Sequence, residues 1–88
     1  MKNIRFTRHA SKRVIEYVLD ENKISQVIKN TEAYDDLSQL GNNRIIHIGR
    51  IGREYWTIPC ALTKDTIDVI TIRKAYMDEI KISKKGRK

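Results

Sequence analysis

The hydrophobic period of this chain changes near Asn43, and that change constrains the fold more than any other feature. Before it, apolar residues recur at helical spacing; after it, they alternate. Ala10, Val14, Tyr17 and Val18 fall at i, i+4, i+7 and i+8, which predicts one apolar face on a helix over 8–19. Thr7 is suited to cap its start. Asp20, followed by Glu21, predicts the cap of a second helix that turns Ile24, Val27 and Ile28 inward and ends near Asn30. A weak edge strand is expected over 31–36, and Gly41-Asn42-Asn43 is a turn signal.

From Arg44 onward the period is two. Residues 44–50 read as a strand, with 53–63 as its hairpin partner across Ile51-Gly52. Lys64-Asp65 makes a second tight turn before a third strand over 66–73. Trp56, Ile58, Cys60 and Leu62 share one side of the middle strand; Arg53, Tyr55 and Thr57 share the other. Ile70 and Ile72 are expected on one side of the last strand, opposite Thr71 and Arg73. Pro59 removes a donor from the long middle strand, so a bulge or a locally unpaired side is expected there. A short helical piece over 75–82 leads to a basic, mobile tail over 84–88. Residues 1–83 then form one α+β domain: two N-terminal helices packed on the Trp56 face of a three- or four-stranded antiparallel sheet. The Tyr55/Arg73 face is expected to stay open.

An 88-residue chain can bury a single modest core. Its 18 Lys+Arg against 11 Asp+Glu give a formal charge of +7, which favours polyanionic partners, nucleic acid first. Cys60 is the sole cysteine, so neither an intrachain disulfide nor a cysteine metal site is available, and its apolar neighbours predict a core residue. No apolar run resembles a signal peptide or reaches bilayer length, so no membrane partner is expected and the expected location is cytoplasmic.

No phosphate-binding loop, dinucleotide fingerprint or His-Glu metal motif is present, and neither a metal nor a small-molecule cofactor is expected. The chemistry left open is metal-free attack of an RNA 2′-hydroxyl on its neighbouring phosphorus. That needs a base, an acid and cations on the phosphate. His9, His47, Tyr55, Tyr76 and Glu79 can move protons; Arg44, Arg50, Arg53, Arg73 and Lys74 can hold phosphate. His9 at a helix start is equally suited to bonding a neighbouring carbonyl. For His47, function is favoured if it points outward on the Tyr55/Arg73 side. Arg73-Lys74 beside Tyr76 puts two cations and an aromatic ring at one sheet edge, whereas Trp56 reads as core.

The run Ile48-Gly49-Arg50-Ile51-Gly52, a strand of about ten residues, Asp65-Thr66-Ile67 and then Ile70-Thr71-Ile72-Arg73-Lys74-Ala75 resembles the C-terminal half of BrnT-type toxins, members of the RelE-like ribonuclease superfamily of toxin–antitoxin modules. Phe6-Thr7-x-His9-Ala10-x-x-Arg13 is similar to the opening of an uncharacterised sister group. The resemblance implies mRNA cleavage, on the ribosome or off it, and neutralisation by a co-encoded antitoxin. Arg50, Arg53, Arg73 and Lys74 match the toxin motif, and His9 and Arg13 match the sister group. With the residue reading above, the expected site is Arg73 on the phosphate, His9 or His47 as base, and RNA contacts from Arg13, Arg50, Arg53, Tyr55, Lys74 and Tyr76. The chain departs from the toxin pattern at Asp68 and at Tyr76-Met77-Asp78-Glu79. The competing reading is a non-catalytic nucleic-acid-binding or regulatory module that uses the same basic face.

Overall fold

The structure is a computed structural model describing residues 2–36 and 43–85. The Gly41-Asn42 turn signal and the tail beyond Lys85 lie outside those residues. Its elements run β1 (Asn3–Phe6), α1 (Arg8–Glu16), α2 (Glu21–Asn30), β2 (Ala33–Asp35), β3 (Arg44–Ile51), β4 (Glu54–Leu62), β5 (Thr66–Val69), β6 (Arg73–Lys74) and α3 (Met77–Lys85). Both helix starts form as their sequence dictates. The Thr7 hydroxyl accepts from the Ala10 N–H at 3.1 Å, and the Asp20 carboxylate accepts from the Asn22 N–H at 2.8 Å.

α1 stops earlier than its periodicity suggests. The Leu19 N–H reaches the Val14 carbonyl at 2.9 Å and the Val18 N–H reaches Ile15 at 3.1 Å. This is the paired closure that requires a left-handed residue, and Val18 supplies it at φ 55°. Val18 therefore leaves the expected apolar face and is 89% exposed. A β-branched residue in this region is strained, because its Cβ crowds the following carbonyl.

The sheet order is β1-β5-β4-β3-β2, with β6 also paired to β4. The sheet is mixed and six-stranded, which corrects the expectation of three or four antiparallel strands. The lead-in at Asn3–Phe6 lies parallel to β5, whereas the other pairs are antiparallel. Asp68 faces Arg5 across that parallel pair, with Nε to Oδ1 at 3.6 Å, so its carboxylate has a cross-strand partner. The β3–β4 hairpin turns on Gly52 and Arg53, one residue later than expected, since Ile51 still pairs with Glu54. Gly52 has φ +66° and Arg53 does not share that region, which suits a turn with glycine at its first central position.

Pro59 is absorbed by a bulge in the opposing strand. Cys60 faces Val69 and Thr57 faces Arg73, so Ile58 and Pro59 stand against the three residues 70–72. The Pro59 carbonyl accepts from the Ile70 N–H at 2.9 Å. A residue's N and O point to the same neighbour in an antiparallel pair, so the missing donor falls on the bulged side and leaves β3 undisturbed. The bulge also shifts the alternation. Val69 and Ile72 enter the core, in place of the expected Ile70 and Ile72 pair.

α1 and α2 cover one face of the sheet. Ala10, Val14, Ile24, Val27 and Ile28 meet Ile45, Trp56, Ile58 and Cys60 there. Gly49 allows α2 close access: a Cβ at that position would lie 2.4 Å from Val27 Cγ1. Cys60 is fully buried, and burial followed by the nearby Asp68 charge pushes its thiol up to about 12. It is a core residue, as its neighbours suggest. The opposite face is not open. α3 crosses it over the fully buried Ile48–Thr57 pair. Among the described residues no helix is long and apolar enough to cross a membrane.

Candidate nucleic-acid interface

The sheet separates the candidate catalytic residues. His47 is paired with Ile58 and Arg73 with Thr57. Residues 57 and 58 are consecutive in β4, so their partners project from opposite faces. His47 lies on the α2 side, 5% exposed, with Nδ1 3.0 Å from the Thr31 hydroxyl. That hydroxyl gives its one hydrogen to the Val27 carbonyl at 2.7 Å, so the His47 Nδ1–H donates to it. Burial holds the His47 pKa below the usual imidazole value, partly opposed by hydrogen bonding with Thr31. His47 is a neutral core histidine and does not point to the Tyr55/Arg73 side.

Arg73 is held on the other face by Glu79. Its two terminal nitrogens donate to Oε1 at 2.7 Å and to Oε2 at 2.8 Å. The Thr57 hydroxyl and the Tyr76 N–H also donate to Oε1, at 2.9 and 2.8 Å. Glu79 thus reaches back to the residue before the helix as a capping side chain does, and starts α3 with the carboxylate that clamps Arg73. Burial tends to raise the Glu79 pKa, but hydrogen bonds from Arg73, Tyr76 and Thr57, with the Arg73 charge, outweigh it and hold the group ionised below its ordinary range. The bond to Glu79 chiefly raises Arg73, with burial opposing. The guanidinium also lies 4.4 Å from the Tyr76 ring centroid. Glu79 thus engages two of the five N–H donors of Arg73, whose side chain is 33% exposed. Tyr55, half-buried on this face, lies beneath Lys84, whose Nζ is 5.7 Å from the ring centroid.

Other candidate cations fall in two further places. The first is a cleft of about 350 Å³ between α2 and the β3–β4 hairpin. Lys23, Gln26, Asn30 and Thr31 line one wall; Gly49, Arg50, Ile51 and Gly52 line the other. Among the described residues no carboxylate lines it. Arg50 Nε donates to the Gly52 carbonyl at 3.0 Å, which aligns the guanidinium with the turn. Lys23, Gln26 and Asn30 stand at i, i+3 and i+7, one polar row beside the apolar stripe of α2. Sequence reasoning passed over these three. The spacing was visible, but its approach to Arg50 depends on the close packing at Gly49.

The second place is where α1 crosses the end of β4 and β6. The Arg13 guanidinium is 5.7 Å from the Tyr17 ring centroid, and that ring lies 5.0 Å from Trp56. Trp56 faces Lys74, whose Nζ is 3.3 Å from Glu54. Among the described residues, Arg13 Nε and Trp56 Nε1 are buried without a hydrogen-bond partner, a costly arrangement for two donors. His9 is exposed one helical turn before Arg13. Arg53 is exposed at the hairpin turn. The structure therefore brings Arg13 and Lys74 into one neighbourhood and places Arg50 in another. Arg50 is also the cross-strand partner of Tyr55, whereas Arg73 and Tyr76 are gathered around Glu79. Comparison with protein-family models, with curated proteins and with solved structures finds no match to this chain.

Proposed function

We propose that this protein binds RNA without cutting it, seating backbone phosphates in the cleft between α2 and the β3–β4 hairpin. The observation that carries this reading is the lining of that cleft. It holds two cations, Lys23 and Arg50, with neutral hydrogen-bonding side chains and, among the described residues, no carboxylate. Arginine and lysine there gain affinity by releasing counterions, and the amides of Gln26 and Asn30 can bond sugar or base edges. Arg53 extends the cationic path along the turn. The test is the salt dependence of binding to a labelled single-stranded RNA. Lys23→Ala with Arg50→Ala should shallow the log–log slope by about 1.4, roughly 0.7 for each phosphate left without its cation. An unchanged slope would remove the cleft from the interface.

A second reading keeps the implied RelE/BrnT-like ribonuclease, neutralised by a co-encoded antitoxin, but with different residues. It is favoured by the unpartnered donors of Arg13 and Trp56 beside Tyr17 and Lys74, with His9 one turn away. In this reading His9 moves the proton while Arg13 and Lys74 hold the phosphate; Arg73 and His47 take no direct part. RNA incubated in excess chelator should then be cut to 2′,3′-cyclic phosphate ends, and His9→Ala should stop it while DNA stays intact. Growth arrest on expression, relieved by an adjacent open reading frame, would support the toxin role. Intact RNA under these conditions leaves the binding reading alone.

A further inference from the structure

We propose that the groove between α3 and the β2–β3 side of the sheet docks a cationic, amphipathic segment of a partner protein. The inference stands apart from the RNA reading, because it concerns the opposite face of the sheet. The groove has a volume of about 390 Å³, with Tyr34, Ile46, Ile48 and Ile82 as its apolar lining. Tyr76, also in the lining, is 61% exposed, and Met77 at the start of α3 is 70% exposed. Large apolar groups gathered on one surface mark an interaction site, whereas single ones scattered over a surface do not.

Charge decides what kind of occupant fits. The chain has a formal charge of +7, yet four of its 11 acidic residues line this groove. Glu79 is engaged with Arg73 through two hydrogen bonds, and Asp36 lies close enough to Arg73 to add to its field. Asp35 from β2 and Asp78 from α3 are exposed on either wall. A nucleic acid backbone is repelled there, whereas lysine or arginine side chains flanked by apolar ones match both rim and floor. Lys81, Lys84 and Lys85 stand beside Ile82 towards the other end of α3. They orient the segment, with its cationic end at Asp35 and Asp78 and its apolar end at Ile82.

The probe is a fluorescein-labelled synthetic peptide in which lysines precede leucines, titrated against the full chain by fluorescence anisotropy at low salt. Saturable binding is expected. Asp35→Asn with Asp78→Asn should weaken it about tenfold, since two exposed charge pairs are removed. Ile82→Ser should weaken it through the apolar end. Both variants should keep the circular dichroism spectrum and the RNA affinity of the parent. Equal affinity of the parent and the Asp35/Asp78 variant would overturn the proposal. Equal binding of a peptide with glutamates in place of its lysines would also overturn it. So would a dimer of the chain that Ile82→Ser abolishes, because the occupant would then be a second copy. Displacement of the peptide by RNA in simple competition would place the peptide in the cationic cleft and overturn it as well.

Discussion

Two hollows of similar size lie on opposite faces of one sheet and have opposite chemistry. The cleft beneath α2 is about 350 Å³, lined by Lys23 and Arg50 and, among the described residues, by no carboxylate. The groove beneath α3 is about 390 Å³, with four carboxylates around an arginine already committed to one of them. The most conspicuous cation of the sequence, Arg73, sits in the acidic groove, and the cationic cleft depends partly on residues with no obvious signature. An arginine at the end of a strand is thus weak evidence for a phosphate site until the facing elements are known. Here the facing element is α3, and it brings its own anion.

The contrast is most exposed to disruption at Glu79. Glu79→Ala leaves Arg73 and the Thr57 hydroxyl without their shared acceptor and should cost about 3 kcal/mol in urea unfolding, discounted for the partial exposure of Arg73. The same variant frees Arg73, so a gain in RNA affinity would show that the acidic groove hides a second phosphate site. Unchanged affinity would confirm that the two faces act separately. Gly49→Ala should cost about 1–3 kcal/mol, because the new methyl overlaps Val27 and a β-branched side chain yields little. Adding Val27→Ala should recover part of that loss, and a double-mutant cycle would measure how tightly α2 is held against β3.

Acid should weaken the α2 side before the α3 side. The folded pKa of His47 is lowered, so the unfolded chain binds more protons below about pH 6.5 and stability falls as pH drops through that range. The slope should reach at most about 1.4 kcal/mol per pH unit, and a His47→Phe variant should lose this dependence. Glu79, also lowered, keeps its contribution above the carboxylate range and loses it only as pH falls through about 4 and below. Denaturant titrations at pH 7, 6, 5 and 4 would separate the two steps. The smallest change should be a gain. Val18→Gly relieves the left-handed valine and should stabilise the chain by about 1 kcal/mol, read as a higher Tm with RNA affinity unchanged.

Much of the fold was legible because its causes are local. Thr7 and Asp20 cap helices wherever those helices pack, and alternation from Arg44 to Leu62 produces a strand and its turn without reference to a partner. Pro59 announced an irregularity, and the bulge at 70–72 absorbs it on the strand that faces it. The candidate site was less legible. His47 and Arg73 look equivalent as basic residues of the two strands that flank β4, yet one is sealed under α2 and the other clamped under α3. Val18 satisfied the helical period and still fell outside the helix, because chain closure at Leu19 imposes a left-handed residue there.

Helices α1 and α2, the β3–β4 hairpin, the faces of β4, the burial of Cys60 and Trp56 and a charge suited to a polyanion were all written in the linear chain. They follow from the period of apolar residues, the capping chemistry and composition, which act over a few residues or over the whole chain. Other features emerged only on folding: Asn3–Phe6 joins the sheet in parallel, α3 closes its second face, and Glu79 neutralises Arg73. Folding also brought Lys23, Gln26 and Asn30 to Arg50. Each of these depends on a pairing between distant segments, and the energy of such a pairing comes from geometry that no single segment encodes.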